Sequence, residues 1–391
     1  MDRSKLESYS GREQASVKHH LLESYFKRLI MITAQGRYNR IAYVDAFAGP
    51  WQSSRDDLSD TSFARAVEVM ESCRAELERV FHRSVSFRAL FVERNPASYA
   101  RLQAFAQQRS TTQLQITAIN EDFSESAESV AAWIHDEEMA FVLIDPTGWK
   151  DVVFPATLAP LLRKPNVEML INFMWNFISL AAGHANQLKN LQSTFGDQYL
   201  SIVKDGAKSG LLMPTYLRRL RETAGRTNSR SRLRAAYFPV EFPDKKRVYY
   251  YLTYVTHHHK GMIVFLEESE KAFKYQDEVK FIVKQQRREV TSGMTDIFGD
   301  DLGDLADAKF RPTTDARSLW LEALPKAGAE LLVDEEKIAN MAEKGNCLIS
   351  SLQAALRDLI SDRTMQNLNS AKPRPKNVVD FKKGETIRRL V

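Results

Sequence analysis

Four times between residues 41 and 145 an apolar run of strand length climbs to an acid. Ile41–Val44 ends on Asp45, and Phe87–Val92 ends on Glu93. Leu114–Ile119 is followed by Glu121 and Asp122, and Phe141–Ile144 ends on Asp145. Amphipathic stretches separate the runs, and that alternation predicts an α/β fold with a parallel sheet covered on both faces. Parallel strands share a direction, so their tips fall along one edge, the edge at which doubly wound sheets bind ligands. A single acid at a strand tip can simply cap the next helix. Four in succession are harder to explain that way.

The rest of the chain fills in around this pattern. Apolar positions at helical spacing over 13–35 (Val17, Leu21, Leu22, Tyr25, Leu29, Ile30) predict a helix packed on the sheet. Lys18, His19 and His20 sit near its start, as a solvated helix end or a substrate-contacting rim. Further helices are expected over 62–80, from Pro96, over 125–136 and near 155–163, with a fifth strand at Val167–Phe173. Residues 184–234 read as a polar helical insertion with basic clusters at Arg218, Arg219 and Arg221 and over Arg226–Arg234, either solvated or facing nucleic acid. Two strands follow, Ala235–Val240 and Arg247–Thr256, with Pro239 and Pro243 suited to an edge or an end. A long helix then runs to about Arg288. The division expected is a domain over 1–290, a Gly- and Asp-rich linker over 291–314 and a smaller helical module over 315–391. Helices at 316–322, 334–344 and 348–361, followed by a hairpin of Val378–Phe381 and Thr386–Leu390 around Gly384, suggest a winged helix.

Charge and cysteine content limit the function classes. With 55 Lys and Arg against 50 Asp and Glu, the chain of 391 residues has a formal charge of +5, which permits a nucleic-acid partner without demanding one. The basic end, including Lys372, Arg374, Lys376, Lys382 and Lys383, favours a polyanion contact or is a solvated tail. Two distant cysteines argue against a disulfide framework or a zinc site. Three consecutive histidines, His257–His259, cannot all face one metal, so no metal site is expected; Lys260 beside them is a candidate phosphate contact. The polar N-terminus has no signal-peptide core and no run spans a bilayer, so a soluble, cytoplasmic protein is expected.

The first tip carries the loop Asp45-Ala-Phe-Ala-Gly-Pro50, with small residues that let backbone N–H groups approach a ligand. It has one glycine where a pyrophosphate-binding turn needs three, and no Gly-Lys-Ser/Thr loop follows, which disfavours a nucleotide-hydrolysing enzyme. A ligand offering ribose hydroxyls, an exocyclic amine and a cationic amino acid suits a row of carboxylates better, and S-adenosylmethionine offers all three.

These features resemble the class I S-adenosylmethionine-dependent methyltransferases. The resemblance implies that Asp45, Phe47, Ala48, Gly49 and Pro50 hold the methionine part, that Glu93 accepts from the ribose, and that Asp122 and Phe123 meet the adenine. The interval from Asp45 to Glu93 exceeds the ~20 residues of related dinucleotide folds; an insertion at 51–62 and the helix after it absorb the difference. Asp145-Pro146-Thr147-Gly148 resembles the Asp-Pro-Pro-Tyr tetrad of amino methyltransferases, and still more the Asp-Pro-Phe-Gly variant of tRNA guanine-N2 methyltransferases. A carboxylate beside a rigid carbonyl suits an exocyclic amine, whose hydrogens it accepts as the nitrogen becomes tetrahedral. Thr147 replaces the usual aromatic, and Trp149 is the nearest ring able to stack on a base. The alternative is a turn that caps the next helix.

Across residues 15–280 the order of Lys18-His19, Tyr43–Pro50, Phe91–Glu93, Leu143–Trp149, Leu170–Trp175 and Thr256–Gly261 is similar to the three-Cys-motif partner proteins. That resemblance implies a methyltransferase-like fold and a separate partner bearing three cysteines, itself similar to a radical S-adenosylmethionine enzyme and often phage-related. Asn172, Trp175 and Asn176 are expected either to orient a substrate or, with Met174 and Phe177, to be core. Two functions fit these residues. One is methyl transfer to a nucleic-acid base, with Asp145, Pro146, Thr147 and Gly148 at the reaction and Lys18, His19, Trp149, Asn172, Trp175 and Lys260 around the substrate. The other is a non-catalytic scaffold that docks a partner.

Overall fold

The computed structural model describes residues 6, 9–49, 53, 58–148, 151–181, 184–199, 209–228, 231–292, 314–370 and 374–391. Pro50, Trp149, Lys372 and nearly all of the expected linker lie outside them. The chain divides into two compact units, one of residues 1–257 and 278–296, the other of residues 258–277 and 297–391.

The first unit opens with α1 (Glu13–Gln35), which buries Val17, Leu21, Leu22, Tyr25, Phe26, Leu29 and Ile30, the expected apolar stripe. Strands and helices then alternate: β1 (Arg40–Asp45), α2 (Ser62–Phe81), β2 (Ser86–Val92), α3 (Pro96–Arg109) and β3 (Leu114–Ile119). The alternation continues with α4 (Phe123–Trp133), β4 (Met139–Ile144), α5 (Pro155–Leu162), β5 (Val167–Phe173) and α6 (Trp175–Ala181). Local chemistry sets the helix starts. Thr61 caps α2, Asn95 caps α3 with Pro96 behind it, and Asp122 caps α4. The insertion supplies α7 (Leu188–Phe195), α8 (Ser209–Ala224) and a short ribbon of β6 (Arg226–Asn228) with β7 (Ser231–Arg232). Then come β8 (Arg234–Glu241), β9 (Val248–Thr256) and α9 (His259–Ser292), a helix divided between the two units.

The sheet has seven strands in the order β3-β2-β1-β4-β5-β9-β8. The first five are mutually parallel; β9 pairs antiparallel with β5 and β8 antiparallel with β9. The result is a Rossmann-like α/β sheet flanked by helices, whose sixth and seventh strands form an antiparallel edge hairpin. Pro239 lies on β8, an edge strand, where its missing N–H is tolerated. Strands β4 and β5 are buried along their whole length, as strands covered on both faces must be.

The core centres on Phe141 of β4. Its ring stacks on Phe26 at 5.4 Å and lies 5.7 Å from Tyr25 and 6.4 Å from Tyr43. Beside it a buried polar knot ties α1 to the sheet. Tyr25 donates to Glu168 at 2.5 Å, Thr256 donates to the other Glu168 oxygen at 2.7 Å, and the Tyr25 and Tyr254 hydroxyls meet at 2.5 Å. Burial, then the Glu168 charge, pushes both phenols well above their ordinary range, so both stay protonated. Cys73 on α2 is free and buried, and burial raises its thiol to about 11.

The second unit contains α10 (Ala316–Ala323), β10 (Glu330–Val333), α11 (Glu335–Gly345), α12 (Ile349–Ser361), β11 (Met365–Asn367) and β12 (Glu385–Arg389). Its sheet is antiparallel in the order β10-β12-β11. The three helices fall where their periodicity predicts. The expected terminal hairpin differs: 378–381 forms no strand, and β12 pairs instead with β10 and β11. Val378, Val379 and Phe381 are buried, so these apolar residues anchor a loop rather than add a strand. Trp320 fills this core and donates to the Leu352 carbonyl at 2.9 Å, and Cys347 is free and buried. No described helix is long and apolar enough to cross a membrane.

Phe141→Ala removes the ring around which the first unit's aromatics are arranged. The variant is expected to lose about 3–5 kcal/mol of stability, read as a lower denaturant midpoint at unchanged slope.

Candidate functional site

Strand register sets the height of each acid. Asp45 stands level with Phe91 of β2 and Leu143 of β4, two residues short of Glu93 and Asp145. Asp45 therefore lies deep in the carboxyl edge and is fully buried. One of its oxygens accepts from the Phe47 N–H at 3.0 Å and the other from the Ser62 hydroxyl at 2.7 Å, which ties the loop to the start of α2. Burial pushes its carboxyl up to about 6, against the pull of the Ser62 and Phe47 hydrogen bonds, and the nearby Asp145 charge adds to the rise.

The loop after β1 is stapled on both sides. The Ala46 N–H donates to the Leu143 carbonyl at 2.9 Å and the Ala48 N–H to the Val92 carbonyl at 3.0 Å. Both alanines are buried between the tips of β2 and β4. These amides hold the loop itself, which differs from the expectation that they face a ligand. Gly49 is the one residue of Ala46–Gly49 whose N–H has no partner among the described residues.

Glu93 is nearly buried, at 8% exposure. One oxygen accepts from the Asn95 N–H at 2.6 Å, and the other has no partner among the described residues. The Glu93 carbonyl is held by the Asn120 amide at 2.7 Å. Asp122 caps α4 through the Ser124 N–H at 2.9 Å and hydroxyl at 2.7 Å, and its second oxygen meets Arg94 at 3.2 Å. Desolvation raises its carboxyl, but the Ser124 and Arg94 bonds outweigh that and hold it below the usual carboxylate range. Phe123 is buried edge-on to Phe47 at 5.9 Å, so little of its ring is open for stacking.

A cavity of about 640 Å³ lies over these tips. Phe47, Glu93, Asp122, Phe123, Pro146, Thr147 and Gly148 all line it, drawn from four separate strand ends. Arg94, Ser98 and Phe177 line it too, and no pattern in the sequence marks them as site residues. Phe177, expected in the core, is 41% exposed, whereas its neighbours Met174 and Trp175 are buried, Trp175 edge-on to Tyr251 at 5.7 Å. In the first turn of a helix only one face meets the sheet, and Phe177 falls on the other.

Asp145 lies beside the cavity. Its carboxylate forms an ion pair with Lys18 of α1 and accepts from the Asn172 amide at 2.6 Å. The register pairs Ile144 with Ile171, so the next residues, Asp145 and Asn172, meet across neighbouring strands. Asn172 is buried, and its own oxygen has no hydrogen-bond partner among the described residues. Lys18 thus serves the carboxylate rather than a rim. His19 is buried and bonded to the Tyr9 hydroxyl at 2.9 Å. Burial, then the cations Lys18, Arg65 and Arg12, holds its imidazole well below 6.5, so it is neutral at pH 7. Lys260 belongs to the second unit, where it faces Glu335 at 3.5 Å. His257 is buried and donates from Nε2 to the Leu162 carbonyl at 2.9 Å. No cluster of potential metal ligands occurs among the described residues.

A scan against protein-family models gives no match for this chain, and a search of curated proteins gives none either.

An acid whose folded value lies above its unfolded one holds its proton more tightly when folded. Asp45, raised from 3.8 to about 6, therefore costs stability as pH rises from about 4 to about 6, and the loss is complete above that. The cost is on the order of 3 kcal/mol. Denaturant titrations across this range are expected to show a falling stability that Asp45→Asn flattens.

Proposed function

We propose that the chain is an S-adenosylmethionine-dependent methyltransferase acting on an exocyclic amine of a nucleic-acid base. The observation that carries this reading is Glu93: a nearly buried carboxylate at the tip of β2, lining the cavity, with one oxygen left for a ligand. The cavity is of small-molecule size. Its loop is short of glycines and has spent most of its amides, which suits a ligand without a pyrophosphate. The order of the five parallel strands, closed by an antiparallel edge hairpin, accords with a class I methyltransferase sheet.

In this reading Glu93 holds the ribose hydroxyls, Asp122 the adenine amine, and the Gly49 amide with Phe47 the methionine end. Bound there, S-adenosylmethionine supplies an electrophilic methyl group. The chain's own part is to place the amine. The Pro146 carbonyl accepts one of its hydrogens, and Asp145, fixed by Lys18 and Asn172, accepts another and favours the tetrahedral nitrogen. Phe177, an exposed ring on the cavity wall, takes the stacking role that Thr147 cannot. The part of the second unit after residue 314, with three helices and a three-stranded sheet, is a winged-helix-like module in this scheme.

One observation favours a second reading. Both Asp145 oxygens are occupied, and Asp145 itself does not line the cavity. A scaffold that pairs with a three-cysteine protein and performs no chemistry would have such a site.

Calorimetry separates the two. Binding of S-adenosylmethionine is expected, weakened about 10–100-fold by Glu93→Ala, the loss of a hydrogen bond to a charged group. Asp145→Asn is expected to keep that binding and abolish transfer of labelled methyl to DNA, tRNA or rRNA. Absence of cofactor binding favours the scaffold, and unaltered transfer by Asp145→Asn rejects the role given to that carboxylate.

A further inference from the structure

The second unit contains a helix-turn-helix and a basic loop that the cavity does not use. Three residues, Asn346–Leu348, join α11 to α12. Local packing fixes that turn. A Cβ at Gly345 would lie 2.6 Å from Leu319 Cδ1, and Asn346 takes φ +43°. Beyond the turn α12 buries Ile349, Leu352, Gln353, Leu356 and Leu359. Its solvent face shows Ser350, Ala354, Arg357, Asp358 and Ser361 at helical spacing, and all but Arg357, which turns onto the neighbouring loop, have little side-chain bulk.

The loop over 374–384 lies along this helix. Gln353 binds it in both directions, donating to the Val379 carbonyl at 2.9 Å and accepting from the Val379 N–H at 3.0 Å. Arg357 donates to the Pro375 carbonyl. Beneath the loop Val378, Val379 and Phe381 are buried. Glu385 gathers Arg374, the Asn367 amide at 2.9 Å and the Asp380 N–H at 2.7 Å. The loop is thereby fixed in place, with Lys376, Lys382 and Lys383 exposed.

Charge distinguishes this surface from the rest of the unit. Arg317 pairs with Asp362, Lys344 with Glu322 and Arg388 with Glu330. The side chains of Arg357, Arg363, Lys376 and Lys382 have no acidic partner among the described residues, and all four lie on α12, just after it, or in the loop pinned to it. Lys326, Lys337 and Arg389 also lack one but belong to other segments, and Arg389 is spent on the Leu321 and Leu324 carbonyls.

We infer that α12 and the 374–384 loop form a docking surface for B-form DNA, with α12 in the major groove and Arg363, Lys376 and Lys382 on flanking phosphates. The charge calls for a polyanion, and the low, narrow helix face calls for a groove. The major groove of B-form DNA admits a helix, whereas that of an RNA duplex is too deep and narrow. No aromatic ring is exposed on α12 or among the described residues of the loop, so a single strand would find no stacking platform. Asp358 on the helix face disfavours phosphate and suits a cytosine amine, which places that face towards base edges. The inference stands on the second unit alone and holds whether or not the cavity transfers methyl groups.

The test is fluorescence anisotropy with the full chain, no cofactor, and a labelled DNA duplex of about two helical turns as the probe. Binding is expected to fall steeply with salt. Lys376→Gln with Lys382→Gln is expected to flatten the log–log slope by about 2, since two phosphates then keep their counterions. Ala354→Leu is expected to weaken binding at least tenfold at unchanged slope, and Lys326→Gln to change nothing. All four positions are exposed, and unchanged melting temperatures verify that the variants fold. An RNA duplex or single strand bound as tightly as the DNA duplex overturns the inference. So does a salt slope that the double variant leaves intact, or an equal effect of Lys326→Gln. Calorimetry with S-adenosylmethionine on the same double variant keeps a failure here distinct from a failure at the cavity.

Discussion

Strand register is the constraint from which the candidate site follows. Five parallel strands in fixed alignment put Asn172 level with Asp145, and put Asp45 two residues below both Glu93 and Asp145. A shift of one residue would turn every side chain to the opposite face and dissolve both relations. The carboxyl edge therefore has two levels. The lower one, Asp45 with the stapled loop, builds the floor. The upper one, Glu93 and Asp122 with the Pro146–Gly148 turn, borders the cavity.

The two levels differ electrically. Asp45 has lost its water and has only neutral hydrogen-bond donors, so its charge is disfavoured. Asp145, a short distance away, has a cation. Lys18 reaches it from α1, and that helix is itself tied to the sheet by the Tyr25–Glu168 bond. A half-buried ion pair of this sort adds little net stability, because desolvation offsets most of the attraction. What it contributes is placement: a carboxylate gripped by an ammonium and an amide keeps one orientation.

The sheet and its helices are legible in the sequence because each element obeys its own period. Apolar runs mark β1, β2, β4 and β5, the edge strand β3 is interrupted by Gln115 and Thr117, and the alternating pattern of α1, α2 and α12 agrees with the structure to within a residue or two. The row of acids is legible too, but not the tasks of its members. Asp45 and Glu93 look alike as strand-end acids, and only register distinguishes the floor from the wall. Lys18 and Asp145 are far apart in the chain, so no local pattern could join them. Phe177 reads as core because an aromatic after a buried strand usually continues it, and here α6 turns the ring outward. The terminal hairpin misleads for a related reason: Val378, Val379 and Phe381 read as strand residues, yet they anchor a loop, while β12 takes its partners from β10 and β11.

The two cysteines bear on how such a molecule can be handled. Cys73 and Cys347 are the chain's entire thiol content; both are fully buried, and burial raises them to about 11 and about 12. The thiolate is the reactive form, so in the folded state neither competes for an alkylating reagent near neutral pH. A cysteine introduced at any exposed position would thus be the sole target of a maleimide dye, and the native chain already serves as its own cysteine-less background for labelling.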